Sequence, residues 1–332
     1  MRKILVTGGC GFVGRNLIKK LLENSNNLVV CVDSLEPFTG CKHPSEWPEF
    51  SPLDFSNFEF RHLDCRLFFA NDVSYFDEVF HLAAMVGGRL MIENNPLAVG
   101  EDLSIDSIMF SWALKSKVNK VINFSSSAAY PIEFQRYDNY RLLKESDINL
   151  KDDRIGMPDL SYGWAKLTCE FLGKLAFERH GIQSVVYRPF SGYGPTQDDT
   201  YPFPSILKRG LKFNANDKEF KVWGSGDQMR DFIHIEDCVK GVLLTKDIIN
   251  DGSAINLSTG KLTSFKEFAS IVLDELGFDG TEVVGTSDKP EGVFARGGDR
   301  SKQIELGFEF DIDFREGIKN SINCLKPPYF KL

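Results

Sequence analysis

Short apolar runs alternate with segments of helical spacing through the first 190 residues, and this alternation constrains the fold more than any other feature of the sequence. In the first such segment, Leu17, Ile18 and Leu21 fall on one helix face. Strands and helices that alternate in this way form right-handed βαβ units, whose parallel sheet is covered by helices on both faces. The expected fold class is therefore α/β with a doubly wound parallel sheet. The apolar runs lie at 3–7, 28–33, 58–63, 78–83, 119–125 and 183–188.

A glycine-rich turn connects the first expected strand to the first expected helix. Residues 7–14, TGGCGFVG, fit the pattern G-x-G-x-x-G between Gly9 and Gly14. Glycines there allow a tight turn and let the backbone approach a pyrophosphate, which the helix N-terminus then stabilises. Asp33 ends the second strand, where its carboxylate can accept both ribose hydroxyls and would repel a 2′-phosphate. The sequence therefore predicts a site for NAD rather than NADP.

The regular alternation loosens after Arg188. Beyond it, a strand-like run (DFIHI), a helical segment and a second run (AINLS) would let the chain rejoin the sheet. Long loops, which often carry function near strand ends, are expected at 34–57 and 131–160. The expected units are a dinucleotide-binding domain at 1–190 with 231–260 returning to it, and a smaller C-terminal lobe at 191–230 and 261–332.

The bulk properties exclude several classes of protein. At 332 residues, with 42% hydrophobic and 26% charged residues, the composition is that of a soluble globular chain. The net charge of −8, with its basic residues scattered, does not match the basic surface of a nucleic-acid binder. No apolar run approaches the ~20 residues that span a bilayer, and the N-terminal run ends too early for a signal peptide. Seven widely spaced cysteines favour reduced thiols in a cytoplasmic protein over disulfides or a metal site.

Two stretches carry residues suited to alcohol oxidation. In SYGWAKL, Tyr162 and Lys166 lie four residues apart and therefore share one face of a helix. A lysine ammonium favours a nearby phenolate and lowers the pKa of the phenol, which makes the tyrosine a usable general base. In NFSSSAAYP, a serine hydroxyl at the end of a strand can hold the substrate oxygen. Nothing acidic, basic or thiol-bearing stands beside these serines, so the stretch offers no second proton-transfer group.

These features occur in the order seen in extended short-chain dehydrogenases/reductases, and the chain resembles the nucleotide-sugar epimerase/dehydratase branch of that superfamily over nearly its whole length. The resemblance implies a Rossmann-type domain that holds NAD and a C-terminal lobe that binds a nucleoside-diphosphate sugar. It also implies a Ser/Thr, Tyr and Lys triad that oxidises a sugar hydroxyl, commonly at C4. The motifs that carry it are TGxxGxxG at 7–14, Asp33, HLAA at 81–84, the serine run, YGWAK, RPFSGYGP at 188–195 and GSGDQMRDFIH at 224–234.

Carried over position by position, the resemblance assigns residues to catalysis, to the cofactor and to the substrate. Arg230 and Arg296 would bind the diphosphate, for which bidentate guanidinium contacts are suited, unless they form surface ion pairs with Asp231 or Asp299. The catalytic residues are Ser126, Tyr162 and Lys166. The residues implied for NAD are Gly8, Gly11, Phe12, Val13, Gly14, Asp33, Asp64, Cys65, Leu82, Ala83, Ala84, Tyr162 and Lys166. The residues implied for the substrate are Val86, Gly87, Ser126, Ser127, Ser191, Trp223, Arg230 and Arg296, with Trp223 beside the nucleobase.

The residues that follow Ser126 narrow the reaction. Related 4,6-dehydratases place Asp-Glu directly after the catalytic Ser/Thr, where this chain has Ser127 and Ala128. Related 3,5-epimerases place a cysteine two residues after the serine, where this chain has Ala128. They also place a lysine or histidine in the loop after YGP, where this chain has Asp198 and Asp199. C4 chemistry remains, either epimerisation or net oxidation, in the synthesis of sugars for surface polysaccharides.

Other readings stay open at this point. The stretch EGVFARGGD is closer to enzymes of GDP-sugar metabolism and slightly favours a GDP-sugar over a UDP-sugar. The alternative function is that of a GDP-sugar 3,5-epimerase or a 4,6-dehydratase-like enzyme. A non-catalytic NAD-binding sensor is disfavoured, because such relatives typically lose the tyrosine or the lysine and this chain keeps both.

Two expected helices carry more apolar residues than one contact with a sheet requires. Met109, Phe110 and Trp112 lie in the segment 97–116, and Phe171, Leu172 and Leu175 lie in 160–180. The family resemblance implies that such helices pair with a second subunit in a four-helix interface. We therefore expect a homodimer or a higher homo-oligomer.

Overall fold

The protein is built around a seven-stranded parallel sheet. A computed structural model describes residues 1–37, 40–85, 87–151, 155–214, 216–286 and 292–325. The strand order is β12-β7-β5-β4-β1-β2-β3, and every neighbouring pair is parallel, which confirms the predicted fold class. The strands of this sheet are β1 (Arg2–Thr7), β2 (Asn27–Asp33), β3 (Phe58–His62), β4 (Glu78–His81), β5 (Lys120–Phe124), β7 (Gln183–Pro189) and β12 (Asp251–Leu257).

Strand β1 lies at the point where the strand order reverses. It pairs with β2 on one side and with β4 on the other. The chain builds the sheet outward from β1 in one direction and then returns to build it in the other, so the two sets of crossover connections diverge above the end of β1. In open α/β sheets this switch point leaves a crevice at the carboxyl ends of the strands, where ligands bind.

Helices cover both faces of the sheet, as the alternating pattern predicts. Ile4 and Val6 of β1 point to one face and Leu5 points to the other, because successive side chains of a strand alternate. On the Ile4 face the core is completed by α1 and α8, and on the Leu5 face by α2, α5 and α6. The helices are α1 (Phe12–Leu22), α2 (Cys65–Asn71), α3 (Arg89–Asn94), α4 (Pro96–Gly100), α5 (Asp102–Lys115), α6 (Leu160–His180), α7 (Pro202–Leu211), α8 (Ile235–Thr245), α9 (Phe265–Glu275), α10 (Ser301–Glu305) and α11 (Phe314–Leu325).

A second hydrophobic core lies towards the C-terminus and is rich in phenylalanine. The rings of Phe232 and Phe314 stack with centroids 4.5 Å apart, and those of Phe203 and Phe268 stack at 5.3 Å. Residues of α7, α9 and α11 form most of this core. The domain boundaries expected at 190, 230 and 260 stay a prediction. Three small sheets of described residues lie outside the main sheet. One pairs β8 (Ser191–Tyr193) with β11 (Phe232–His234), and another pairs β9 (Glu219–Trp223) with β14 (Glu282–Thr286). The third has four strands in the order β13 (Thr263–Ser264), β10 (Met229–Arg230), β15 (Ala295–Gly298) and β6 (Leu142–Leu143).

Three local expectations differ from the structure. The strand-like run DFIHI forms β11, which pairs with β8 outside the main sheet. The run AINLS does rejoin the main sheet as expected, because its first four residues, 254–257, belong to the edge strand β12. Among its described residues, the expected loop at 34–57 includes the 3₁₀ turns Pro44–Glu46 and Pro52–Asp54. In its described part, the expected loop at 131–160 contains β6, which pairs with β15, and two short 3₁₀ turns, Ile132–Gln135 and Glu145–Asp147.

The apolar surplus of α5 is explained within a single chain. Met109, Phe110 and Trp112 are all buried, and the Trp112 ring contacts Phe68 and Phe69 of the α2 helix at centroid distances of 5.9 and 4.9 Å. Helix α5 has several buried faces because it packs at once on the sheet, on α2 and on α6. The use of these three residues as a sign of a second subunit was therefore wrong.

Within the described parts of the chain, none of the helices combines the length and apolar character needed to cross a bilayer.

The close packing of the first turn gives a test of the fold. A Cβ atom added at Gly14 would lie 2.5 Å from the Gly9 Cα atom, so Gly14→Ala must displace the backbone of the turn. We expect this variant to lose about 1–3 kcal/mol of unfolding free energy, the usual cost of overpacking. The control is Gly100→Ala at the end of α4, where an added Cβ meets nothing within 4 Å. Chemical denaturation that finds the two variants equally stable would contradict this account of the turn.

Candidate active site

A large cavity opens at the carboxyl ends of the main strands, between the sheet and the second core. Its volume is about 1010 Å³, which is enough for a dinucleotide and a second ligand of similar size. It brings together almost all of the residues that the sequence pointed to. Those that line it are Gly8, Gly11, Phe12, Val13, Gly14, Asp33, Asp64, Cys65, Leu82, Ala83, Ala84, Gly87, Ser126, Tyr162, Lys166, Ser191, Trp223, Arg230 and Arg296.

Two predicted substrate contacts do not lie on the described wall of the cavity. Ser127 is buried and opens a short 3₁₀ turn, Ser127–Ala129, because the chain bends where the Ser126 Oγ atom accepts a hydrogen bond from the Ala128 amide. That bend leaves Ser126 and Ala128 on the wall and turns Ser127 away from it. The predicted contact of Ser127 with substrate is therefore not supported, and Val86 lies outside the described residues.

The glycine turn is shaped by contact with the end of β4. Gly8 has a φ of +68°, and a Cβ atom there would lie 2.6 Å from the Ala83 amide nitrogen. Only glycine fits this backbone conformation and this contact. The turn leads directly into α1, whose first backbone amides face the cavity without side-chain caps. A groove without Cβ atoms at the start of a helix fits the pyrophosphate of a dinucleotide.

Asp33 is held beside this turn by backbone hydrogen bonds. Its Oδ2 atom accepts from the Cys10 amide at 2.9 Å and its Oδ1 atom from the Leu35 amide at 2.8 Å. Burial raises the pKa of the Asp33 carboxyl, and the two amide hydrogen bonds oppose that rise. A fixed carboxylate at the end of the second strand fits the adenosine ribose hydroxyls of NAD. Nearby, Asp64 caps α2 and pairs with Arg66 at 2.6 Å while still lining the cavity.

The expected catalytic residues meet at the start of α6. Lys166 is buried, and its Nζ atom lies 5.7 Å from the centroid of the Tyr162 ring. The pKa of the Tyr162 phenol is raised by burial, whereas the Lys166 charge and a hydrogen bond with Ser126 lower it. The sequence argument expected a lowered pKa. In the ligand-free chain this is wrong, because burial of the phenol outweighs both opposing effects.

A row of buried polar groups lies behind Lys166, and the sequence analysis missed it. Asp102 of α5 approaches the Lys166 Nζ atom to 4.0 Å. One turn further along the same helix, the Asp106 Oδ1 atom lies 3.1 Å from His81 Nε2, and His81 Nδ1 lies 2.7 Å from the Thr7 hydroxyl. Two aspartates at a spacing of four were the available signal, in a segment whose other residues are apolar except for three serines and a final lysine.

Positive charge gathers at the cavity around Asp159. This carboxylate pairs with Arg89 at 2.9 Å and with Arg296 at 2.7 Å. Burial, and next the charge of Arg296, lower the pKa of the Arg230 guanidinium to about 9. Arg89 also pairs with Glu93 at 2.7 Å. Three arginines therefore face two carboxylates, and the net positive charge that remains suits a diphosphate. Arg89 and Asp159 were not predicted, since they are distant in sequence from the motifs that contain the other two arginines.

Two polar residues of the motif at 224–234, Asp231 and His234, have structural roles. Asp231 is buried and accepts hydrogen bonds from the backbone of Thr259, Gly260 and Gly298, so its role is structural. His234 caps α8 by accepting a hydrogen bond from the Glu236 amide. Burial lowers the pKa of His234, which agrees with a neutral, structural histidine.

The fold and this site define an enzyme that binds a dinucleotide and acts on an alcohol. The model of the NAD dependent epimerase/dehydratase family matches residues 4–257, and the chain belongs to that family. It is an NAD-dependent enzyme, as the sequence predicts.

Similar proteins act on nucleotide sugars. A Methanocaldococcus jannaschii protein named "Putative UDP-glucose 4-epimerase" is 32% identical over 97% of this chain and 98% of its own length. GDP-mannose 3,5-epimerase 1 of Oryza sativa subsp. indica is 29% identical over 96% of this chain and 80% of its own. The crystal structure of UDP-glucuronic acid 4-epimerase from Bacillus cereus, in complex with UDP-glucuronic acid and NAD, has a TM-score of 0.78 at 25% identity and covers 98% of this chain and 100% of that one.

The fixed carboxylate of Asp33 predicts the choice of cofactor. We expect the protein to bind NAD far more tightly than NADP, and Asp33→Asn to narrow that ratio by about tenfold or more, because the charge that repels a 2′-phosphate is gone. Asp33→Ala should act in the same direction. Calorimetric titration of the purified protein with both cofactors measures the ratio. A wild-type protein that binds both equally, or prefers NADP, would overturn the role given to Asp33.

Proposed function

We propose that this protein oxidises C4 of a nucleoside-diphosphate sugar reversibly and acts as a 4-epimerase, in the synthesis of sugars for surface polysaccharides. The observation that carries the proposal is the composition of the wall around the reacting groups. Ser126 and Tyr162 stand on the cavity wall with Lys166 beneath, and the next wall position is Ala128. This set can move a proton on a hydroxyl but offers none of the acid and base groups that a 4,6-dehydratase needs at that place.

Each residue of the set has a separate task. Tyr162 takes the proton of the sugar 4-hydroxyl and later returns it. Its position in the first turn of α6 places the phenol on the cavity wall. The Ser126 hydroxyl hydrogen-bonds the same sugar oxygen, and Lys166 stabilises the phenolate by its charge. The chemistry supplied by bound NAD is acceptance and return of the hydrogen at C4. Release of the 4-keto sugar before that return would give net oxidation instead.

The cavity also offers contacts for the nucleotide part of the substrate. Arg230 and Arg296 are the groups we assign to the diphosphate, and the same pocket includes Trp223, 43% exposed, as a surface on which a nucleobase can stack. The preference for GDP over UDP is a prediction, and relatives named for UDP-sugars and for GDP-mannose both occur. A cytoplasmic location is likewise a prediction.

One observation favours 3,5-epimerisation as a second candidate. Asp198 lines the cavity, and its Oδ1 atom accepts hydrogen bonds from the amide and the hydroxyl of Thr200 at 3.0 and 2.6 Å. These bonds hold the Asp198 side chain in one orientation on the cavity wall, where its carboxylate could remove a proton from carbon. The rice relative named as a GDP-mannose 3,5-epimerase agrees with this reading.

Turnover in heavy water separates the two candidates. A C4-epimerase that exchanges no carbon-bound proton leaves C3 and C5 of the sugar free of deuterium. The assay uses UDP-sugars and GDP-sugars with bound NAD, and mass spectrometry and NMR identify the products. Deuterium at C3 or C5 that disappears in Asp198→Asn would replace our proposal with the 3,5-epimerase reading.

The same assay measures the triad. We expect Tyr162→Phe to lower kcat by about 10²–10⁴-fold, because the positioned base is removed while the dinucleotide contacts remain. Ser126→Ala should lose about 10²-fold, as expected for one hydrogen bond to the reacting oxygen. Both variants should bind NAD like the wild type in calorimetry. A Tyr162→Phe enzyme with wild-type kcat would exclude the proposed mechanism.

We further propose that two copies of the chain pair through α5 and α6. Although Met109 and its neighbours are buried, other apolar residues on these adjacent helices remain exposed, and on α6 they share one face. Trp164 and Phe171, seven residues apart, are 41% and 44% exposed. Leu103 and Leu114 are exposed on α5. Exposed apolar residues on two neighbouring helices fit a second copy in a four-helix arrangement.

The pairing has a direct test. We expect a dimer or larger species in light scattering at micromolar concentration, and we expect Phe171→Asp to shift it to the monomer, because a charge would be buried in the interface. The control is Leu244→Asp, which changes a similarly exposed residue on α8, across the sheet from α6. A wild-type protein that is strictly monomeric would refute the pairing.

A further inference from the structure

Asp102 is an unusual residue to find behind the catalytic lysine. It is the first residue of α5 and is almost completely buried. Its Oδ1 atom accepts a hydrogen bond from the Met85 amide. Its Oδ2 atom accepts no hydrogen bond from any described residue and lies 4.0 Å from the Lys166 Nζ atom. The Oδ1 atom therefore holds Met85 in the loop after β4, and the Oδ2 atom faces the Lys166 ammonium without a hydrogen bond from a described residue.

The environment of this carboxylate is closed, and several other titratable or charged groups face it. Lys166 supplies the positive charge that faces it most closely, and burial raises the pKa of Asp102 to about 6 despite that lysine. In return, Asp102 raises the pKa of Lys166, whereas burial would lower it. The titratable or charged groups that face this region are Lys166, Tyr162 and Cys169 from α6, Asp106 from α5, His81 from β4, and Cys65 and Arg66 from α2, which packs against α5.

We propose that Asp102 is a positioning residue whose negative charge keeps the buried Lys166 ammonium in place behind Tyr162 and thereby sets the pH range of the reaction. The proposal rests on the proposed function, because it assigns Tyr162 and Lys166 the roles of base and charge partner. It goes beyond that function by adding a residue that touches neither sugar nor cofactor. Asp102 would act only through the lysine and the phenol.

Charge, and not shape alone, distinguishes this role. The hydrogen bond from Met85 needs only an acceptor, which an asparagine side chain would supply equally well. A buried carboxylate with a raised pKa destabilises the folded protein above that pKa, since its charged form is disfavoured there. If the residue at this position had only a structural role, a neutral side chain would make the folded protein more stable above that pKa. Keeping a carboxylate therefore points to its effect on the neighbouring ammonium.

The direction of the effect follows from the sign of the charge. A negative charge raises the pKa of every group near it, and Asp102 raises the pKa of both Lys166 and Tyr162. Removing the charge therefore lowers both values. The acid limb of kcat/KM, set by the phenol, and the alkaline limb, set by the ammonium, should move to lower pH together.

The test is the near-isosteric substitution Asp102→Asn. We expect both limbs of the pH profile to shift down by about one pH unit, the order of shift that one close charge produces. Below about pH 6 the wild-type carboxyl is itself protonated, so the two profiles should converge there and differ only above. A lower rate with unmoved limbs would overturn the proposal, because a structural role predicts that result.

A second readout needs neither substrate nor turnover. In the protein labelled with [¹³Cζ]tyrosine, the Tyr162 resonance is assigned by its absence in Tyr162→Phe and titrated without ligands. We expect Asp102→Asn to lower the pKa of this phenol and to leave the other eight of the nine tyrosines unchanged. If no nucleotide sugar is turned over, the proposed function fails while this titration still decides the electrostatic role of Asp102.

Two further variants separate charge from packing. Asp106→Asn removes a buried charge one turn along α5, whose influence reaches Lys166 but is not among the main influences on Tyr162. It should shift the Tyr162 titration by less than half as much as Asp102→Asn does. Asp102→Ser removes the charge with a smaller side chain and should reproduce the shift of Asp102→Asn if that variant does not fold. An unshifted Tyr162 titration in both Asp102 variants would reject the proposal.

Discussion

The contact between the glycine turn and the end of β4 is the constraint on which the rest of the site depends. Gly8 rests against the Ala83 backbone so closely that no Cβ atom fits between them. That contact sets the angle at which α1 leaves the sheet at the switch point, and it leaves the first amides of α1 facing open space. Asp33 accepts its hydrogen bond from Cys10 of the same turn. The cavity, the groove that fits a pyrophosphate and the position of the Asp33 carboxylate therefore all depend on the contact between Gly8 and Ala83.

An acidic protein can prepare a site for anions because its positive charges are placed by buried carboxylates. Asp159 holds Arg89 and Arg296, and Asp102 faces Lys166. In each case the carboxylate is buried and the cationic partner lines the cavity, although Asp159 also lies on the cavity wall. Burial makes an unpaired cation costly, so the partner allows the charge to remain where water is excluded. The net charge of the chain gives no indication of this arrangement, which depends on the local pairing.

The sequence predicted best those features whose residues are neighbours along the chain. The turn at 7–14, the Tyr162 and Lys166 pair and the serine run are each contained in a short segment, so their spacing alone indicates their geometry. It predicted less well where three elements meet. Whether Trp112 faces a second subunit or the α2 helix depends on helix packing that no local pattern contains. For the same reason Asp102, Asp159 and Arg89 were missed, and the burial that raises the pKa of Tyr162 could not be anticipated from its distance to a lysine.

Helix α6 connects the chemistry with the proposed pairing of subunits. Tyr162 and Lys166 lie on its cavity side, whereas Trp164, between them in sequence, is exposed on another side because successive residues turn by about 100° around a helix axis. A second copy packed on Trp164 and Phe171 would restrain the helix from behind while leaving the cavity open. The buried contacts of α5 restrain it from the sheet side, and Asp102 belongs to that contact. Tyr162, the base in our proposal, would thus be held by a helix that is restrained on several sides, which limits how far its phenol can move from the sugar oxygen that it is proposed to meet.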